Sequence, residues 1–304
     1  MISRYTTRQG LAWIDLESPT QEEVASLAEE FGLHPVIANE LLSRSERVKV
    51  DLYENAVYLI LHFPLQNRST SHIEEVEIDF VLLKNALITT HYELIDPLHD
   101  FARLFEVDTY LNKVDIGDHA GFLFFSQIRE LYKHTMFLLE TVEHDIREIE
   151  KHIFNGEETA IVARLSLTNR ALIDIKSSLR AHKEMLKSFS GACSHVYGND
   201  FTHYLSAIEG ECAHLEQIMN ENRETLRDLR NTNDSLLSNK TNMTIKRLTV
   251  VNVIMLPLGL ITWIFSMHSK LLTIDEPRQL ITVFASMVLV CIISVFYFRS
   301  KKWL

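Results

Sequence analysis

The chain has 304 residues and a formal charge of −11, unevenly spread: from Leu248 onward there are five Lys/Arg and two Asp/Glu, so residues 1–247 carry −14. Such an acidic surface repels nucleic acid and gathers cations, which sets nucleic acid aside as a partner. Three cysteines, Cys193, Cys212 and Cys291, in no CxxC or Cys/His zinc spacing, exclude a disulfide scaffold and a zinc ribbon and fit a soluble part facing a reducing cytosol.

The opening MISRYTTRQG lacks the apolar stretch of a cleavable signal peptide, so the C-terminal segments are expected to carry the targeting information. Residues 1–118 alternate strand-like and helix-like patterns. Leu11–Leu16 predicts a short strand. Ser18 and Pro19, followed by Glu22 and Glu23, predict an N-cap, a proline at the first helical position and first-turn acids for a helix ending near Gly32. Asn55–Phe63, Val76–Leu83 and Ala86–His91 predict further strands, with Lys84-Asn85 as a tight turn between the last two. An α/β sandwich with a mixed or antiparallel sheet follows. With no GxGxxG, Walker A lysine, HExxH or nucleophile elbow, enzyme chemistry has no motif to rest on, and the chain is not expected to be an enzyme.

Residues 119–247 predict a helical stalk. Phe122–Phe154 and Thr159–Phe189 are long apolar-periodic segments separated by the helix-stop signal Asn155-Gly156. Beyond them Leu205, Ile208, Cys212, Leu215, Met219, Asn222, Leu226, Leu229, Asn233 and Leu236 alternate spacings of three and four. This is a coiled-coil-like heptad pattern, with Asn222 and Asn233 as polar interruptions of the kind that set register and oligomer state. Neither Pro nor Gly falls between Glu211 and Leu256, so one helix is predicted from about Phe201 into the segment that follows.

Residues 248–304 predict two membrane helices. Leu248–Met267 and Leu280–Phe298 are uncharged runs long enough to cross a hydrocarbon core of ~30 Å at ~1.5 Å per residue. Lys240, Lys246 and Arg247 precede the first and Arg299, Lys301 and Lys302 follow the second, whereas the connection Ser269–Gln279 has two basic and two acidic residues. The positive-inside rule puts both chain ends in the cytoplasm and the connection outside. Two helices cannot enclose an aqueous path, so any conduction requires a homo-oligomer. The first span, with Asn252, Pro257, Gly259 and Thr262, is the better candidate for lining such a path than the second, which carries Thr282, Ser286 and Ser294.

Several stretches together resemble the CorA-like magnesium and zinc transporters: IDLESPTQEEVASLAEEFGLHPVIANELLS followed by RVKVDLYENAVYLILHFP, then VLLKNALITTHYE, TNMTIKRLTVVNVIMLPLGLITWIFSMH and the ending YFRSKKWL. The resemblance implies a funnel-shaped homopentamer in the inner (plasma) membrane, with a cytosolic α/β domain, a stalk helix continuing into the inner helix of the pore, and an outer ring of second helices. It implies no resident cofactor, a transported divalent cation, Zn2+ or Mg2+, and a path facing Asn242, Ile245, Leu248, Asn252, Leu256 and Gly259. Spacings of three and four independently put most of these on one helical face. Rings of Ile and Leu would form a dewetting constriction, and the Asn rings would offer side-chain carbonyls to a hydrated ion.

One departure bears on the cation. The family's Gly-Met-Asn signature should stand at Ser266-Met267-His268, the outer mouth, where only the methionine is kept. Imidazole suits zinc, nickel, cobalt or copper better than magnesium, which prefers oxygen and holds its waters. His268 would also titrate between about pH 5 and 8, so protons could compete with the metal. An acid after the signature is replaced by Lys270, with Asp275 and Glu276 further on. The remaining histidines, scattered at no ligand spacing, are not assigned to a metal. The competing reading is a non-conducting, membrane-anchored coiled-coil sensor or scaffold.

Overall fold

The computed structural model describes residues 1–7, 10–45, 47–67, 72–111, 119–198, 201–266 and 277–301. Two compact units result, Met1–Leu229 and Arg230–Leu304.

In the first unit β1 (Ile2–Thr6), β2 (Ala12–Glu17), β3 (Lys49–Leu52), β4 (Val57–Gln66), β5 (Ile73–Leu82) and β6 (Ala86–His91) form one sheet in the order β1-β2-β6-β5-β4-β3. The pairing of β2 with β6 is parallel and the others are antiparallel, a mixed sheet as expected. Four of these strands match the predicted ones, and Leu83 N–H donates to the Ala86 carbonyl at 2.9 Å across the predicted Lys84-Asn85 turn. The two edge strands escape prediction because ISRYT and KVDL are half polar and only partly covered.

Period-two alternation divides the sheet's side chains between two covered faces. Ile14, Leu16, Tyr58, Ile60, Val81 and Ile88 meet Val24 and Leu27 of α1 (Gln21–Phe31) and Ile37 of α2 (Pro35–Glu40). On the other face Trp13 meets Phe101 and Phe105 of α3 (Asp96–Leu111), and Phe80 meets Phe124 of α4 (Gly121–Phe154). Burial on both sides is why β4 reads VYLILHFPLQ with scarcely a polar break.

Helix α1 begins two residues later than predicted. Thr20, not Ser18, is the N-cap: its hydroxyl accepts from Glu23 N–H while the Glu23 carboxylate accepts from Thr20 N–H, a complete capping box. Pro19 therefore lies before the helix. At the other end Gly32 takes a left-handed conformation, φ 63°, closing the helix as predicted.

The segment Thr159–Phe189 is not one helix. It divides into α5 (Val162–Leu179) and α6 (His182–Tyr197), and the break at Arg180-Ala181 carries neither Gly nor Pro. Its reason is tertiary. The break brings the fully buried His182 ring under β4, where Nε2 lies 2.7 Å from the His62 carbonyl and Nδ1 lies 2.9 Å from the Tyr132 hydroxyl. A carbonyl can only accept, so Nε2 carries the proton and Nδ1 accepts from tyrosine. Burial of this neutral ring holds its pKa down to about 4.

Two other histidines have the opposite environment. His91 has Nδ1 2.6 Å from the Glu93 carbonyl and Nε2 3.3 Å from Asp15. His62 has Nδ1 3.2 Å from Glu75 and Nε2 3.1 Å from the Ser45 carbonyl, with Glu77 beyond. Each ring faces acceptors on both sides, which favours two protons. For His62 the bond to Glu77 raises the pKa; for His91 burial opposes the rise but Asp15 and its neighbours outweigh it.

Helix α7 (Thr202–Ser266) begins close to the predicted start. In the first unit its heptad stripe is buried from Leu205 through Leu229. The stripe meets α4 of the same chain: Phe122 and Phe125 lie against Tyr204, Arg129 pairs with Glu211 at 2.9 Å, and Tyr132 reaches Cys212. This part of the heptad pattern therefore joins two helices of one chain. Burial pushes the Cys212 thiol up to about 11.

The second unit holds the continuation of α7 and α8 (Pro277–Ser300). Both are long and apolar enough to cross a membrane, and only 6% of either apolar window is buried. A core helix of a soluble protein would be covered, so the exposure fits helices whose solvent is lipid.

Candidate functional site

The part of α7 from Arg230 to Ser266 sorts its residues by face. At about 100° per residue, Asn242, Ile245, Leu248, Asn252, Leu256 and Gly259 fall within an arc of about 120°. All six are exposed in the single chain. Of the shielded or partly shielded residues, Val250, Ile254, Pro257, Leu258 and Ile261 lie on the opposite side of the helix, and Thr249 lies within the arc. On α8 the less exposed positions Val283, Met287, Val290, Cys291, Ser294 and Phe298 also form one stripe, at spacings of helical neighbours. Each apolar helix thus has one covered face and one open face, and the predicted residues are on the open face of α7.

The polar groups of this part of α7 differ in their partners. Neither Asn242 nor Asn252 makes a side-chain hydrogen bond among the described residues, so both amides are available. Thr249 and Thr262 instead donate to the carbonyls of Ile245 and Leu258, each at 2.8 Å, which satisfies their hydroxyls within the helix. Lys240, Lys246 and Arg247 fall outside the arc, so the stripe is uncharged from Asn242 to Gly259. Pro257 removes one backbone donor from the helix without ending it.

The same helical line continues beyond the predicted residues at both ends. Asp234 lies about five turns before Asn252 on the same line, and Trp263 about five turns beyond Ile245. Trp263 is 74% exposed, more than any other large apolar side chain of α7 among the described residues, whereas Gly259 one turn earlier has none of them within 4 Å of an added Cβ. The signal was the same three-and-four spacing, carried further along the helix. Of the predicted outer mouth, Ser266 is the last residue of α7. Met267 and His268 lie outside the described residues.

The stripe can touch a hydrated ion with amide oxygens and confine it with apolar side chains, but it has no carboxylates at its centre to strip the ion of water. Among the described residues no group of three or more His, Cys, Asp or Glu is arranged to hold a metal. In the first unit a cavity of about 340 Å³ is lined by Arg44, His62, Glu75, Glu77, Tyr92 and Glu93. Behind it Asp79 is fully buried, and its pKa is raised well above the usual carboxylate range by burial and by Glu77. Tyr58 donates to Asp79 Oδ2 at 3.0 Å, while Asp79 Oδ1 and Glu77 Oε1 have no partner. Burial beside another carboxyl group favours the neutral form of Asp79.

Comparison with known proteins agrees with this architecture over nearly the whole chain. The family described as CorA-like Mg2+ transporter protein matches residues 8–302. The cobalt/magnesium transport protein CorA of Thermotoga maritima is 24% identical over 299 residues, covering 96% of this chain and 83% of that protein. The solved structure of the CorA magnesium transporter from Methanocaldococcus jannaschii superposes with a TM-score of 0.83 at 22% identity, covering 97% of this chain and 92% of that one. The ZntB cytoplasmic domain from Vibrio parahaemolyticus gives a TM-score of 0.61 at 15% identity, over 78% of this chain and 89% of that domain. With an α/β unit, a long helix and two apolar helices, and with the family match running over residues 8–302, the chain belongs to the CorA-like family of divalent-cation membrane transporters.

Proposed function

We propose that the chain assembles as a homopentamer in the inner (plasma) membrane and passes a divalent cation along its axis, between the open faces of the α7 helices. The path is lined by Asn242, Ile245, Leu248, Asn252, Leu256 and Gly259, with Ser266, Met267 and His268 at the outer mouth. Residues 1–118 serve as a cytosolic α/β domain, 119–247 as a stalk and 248–304 as the membrane region. Both termini are cytoplasmic, following the distribution of Lys and Arg. The observation that carries this reading is the open, uncharged stripe of α7, with two free Asn amides opposite the shielded face. In lipid, an unpartnered amide is stable where it meets another copy or water.

Zinc is the first expectation, because His268 stands where a magnesium-selective mouth would present oxygen; magnesium is the alternative set by the family. The protein acts by positioning and dehydration control, with no enzymatic step. Uptake of Zn2+ and of Mg2+ into proteoliposomes, compared with protein-free vesicles at pH 5.5 and 7.5, tests the reading. Zinc entry that slows at the lower pH, as His268 gains a proton, is expected. Failure of both ions to enter faster than into empty vesicles would leave a non-conducting membrane scaffold.

A further inference from the structure

We infer that Trp263 is the constriction of the conduit: one indole from each copy narrows its outer end and limits the rate of cation passage. The inference rests on the conduit reading above and adds to it the residue that sets the throughput.

Phase is the first ground. About five helical turns separate Trp263 from Ile245, so the indole projects along the middle of the arc that contains Asn252 and Leu256. The residues of α7 that are shielded within the chain, Val250, Ile254 and Ile261, lie away from it.

Size is the second. Trp263 is three-quarters exposed and is the largest side chain on the stripe. Gly259, one turn before, leaves open space on the same face. Around a symmetry axis this order produces a wide section at the glycine followed by an aromatic ring close to the end of α7. Apolar constrictions resist an ion by excluding the water that accompanies it, and an indole face also attracts a cation that reaches it.

The alternative position for a tryptophan near a helix end is the lipid headgroup region, where an indole anchors the helix and never meets the ion. The two positions make opposite predictions. For the full-length protein in proteoliposomes, Trp263→Ala is expected to raise initial Zn2+ or Mg2+ uptake roughly tenfold, the factor that about 1.4 kcal/mol of barrier represents. Trp263→Phe should remain close to the parent. The fluorescence difference between the parent and Trp263→Phe isolates the Trp263 emission; it should be quenched by acrylamide in the water and unaffected by lipids brominated on their chains. Unchanged uptake in Trp263→Ala, or quenching by brominated lipid, would overturn the inference. The spectroscopic arm uses the parent assembly, so it still decides if the alanine variant fails to assemble. Asn252→Leu separates the two levels. If it alters uptake while Trp263→Ala does not, only the constriction is lost; if neither has an effect, the conduit itself is wrong.

Discussion

The two units solve the burial problem differently. In Met1–Leu229 a single chain covers its own sheet on both faces, and buried polar rings such as His182, His91 and His62 have partners that determine their protonation. In Arg230–Leu304 the apolar helices are open on most of their circumference, and Asn252 has no partner among the described residues. The first unit is internally complete. The second leaves its apolar helices uncovered by its own chain, as fits helices whose solvent is lipid.

The comparison breaks most readily at His182. Replacement by Leu orphans the Tyr132 hydroxyl and the His62 carbonyl in a dry site, and should lower the stability of the first unit by about 2–4 kcal/mol. Urea unfolding followed by far-UV circular dichroism measures this, and an unchanged midpoint would mean that the ring is not buried as described. A related effect appears with acid. The folded ring resists protonation, so its stabilising contribution is complete above the unfolded value of about 6.5 and is lost as the pH falls through about 4. The loss should approach roughly 3 kcal/mol and should be absent in His182→Leu. His62 and His91, whose values are raised, oppose this trend: their contribution is present at low pH and lost as the pH rises through their folded values.

A smaller effect, of the opposite sign, is expected at Asp79. Because its folded pKa is raised, the unfolded chain releases this proton first, and stability falls as the pH climbs above the ordinary carboxylate value. Asp79→Asn should therefore raise the thermal midpoint at pH 8 and leave it nearly unchanged at pH 4; destabilisation at both would contradict a neutral, buried Asp79. Smallest of all is Arg4→Ala. The Arg4–Glu30 fork, at 2.6 and 2.8 Å, is half exposed, so its loss should shift stability by less than about 1 kcal/mol. Each of these changes should leave the open stripe of α7 in the second unit intact.

How much of this was legible depended on whether the signal was local. The apolar spans, the stalk heptads and strand β6 announce themselves by composition and period, and the turn at Lys84-Asn85 by its residue types. The capping box was legible as Thr20 and Glu23 but was passed over for Ser18-Pro19, two residues earlier. The break between α5 and α6 had no local mark at all, because a hydrogen bond from His182 to a strand more than a hundred residues away decides it. The six stripe residues share one face because of their spacing, and Trp263 continues that face, but a tryptophan near a span end has no local mark that separates a lipid anchor from a residue facing another copy.

The measurement that tests the central claim most directly is cysteine accessibility along α7, in a background lacking Cys193, Cys212 and Cys291. Single cysteines replacing Ile245, Asn252, Leu256 or Gly259 should react with a charged, water-soluble thiol reagent and lose cation uptake once modified. Cysteines replacing Val250, Ile254 or Ile261 should remain unmodified with uptake intact. Equal reactivity around the helix, or modification of the stripe without loss of uptake, would contradict a conduit along the open face of α7.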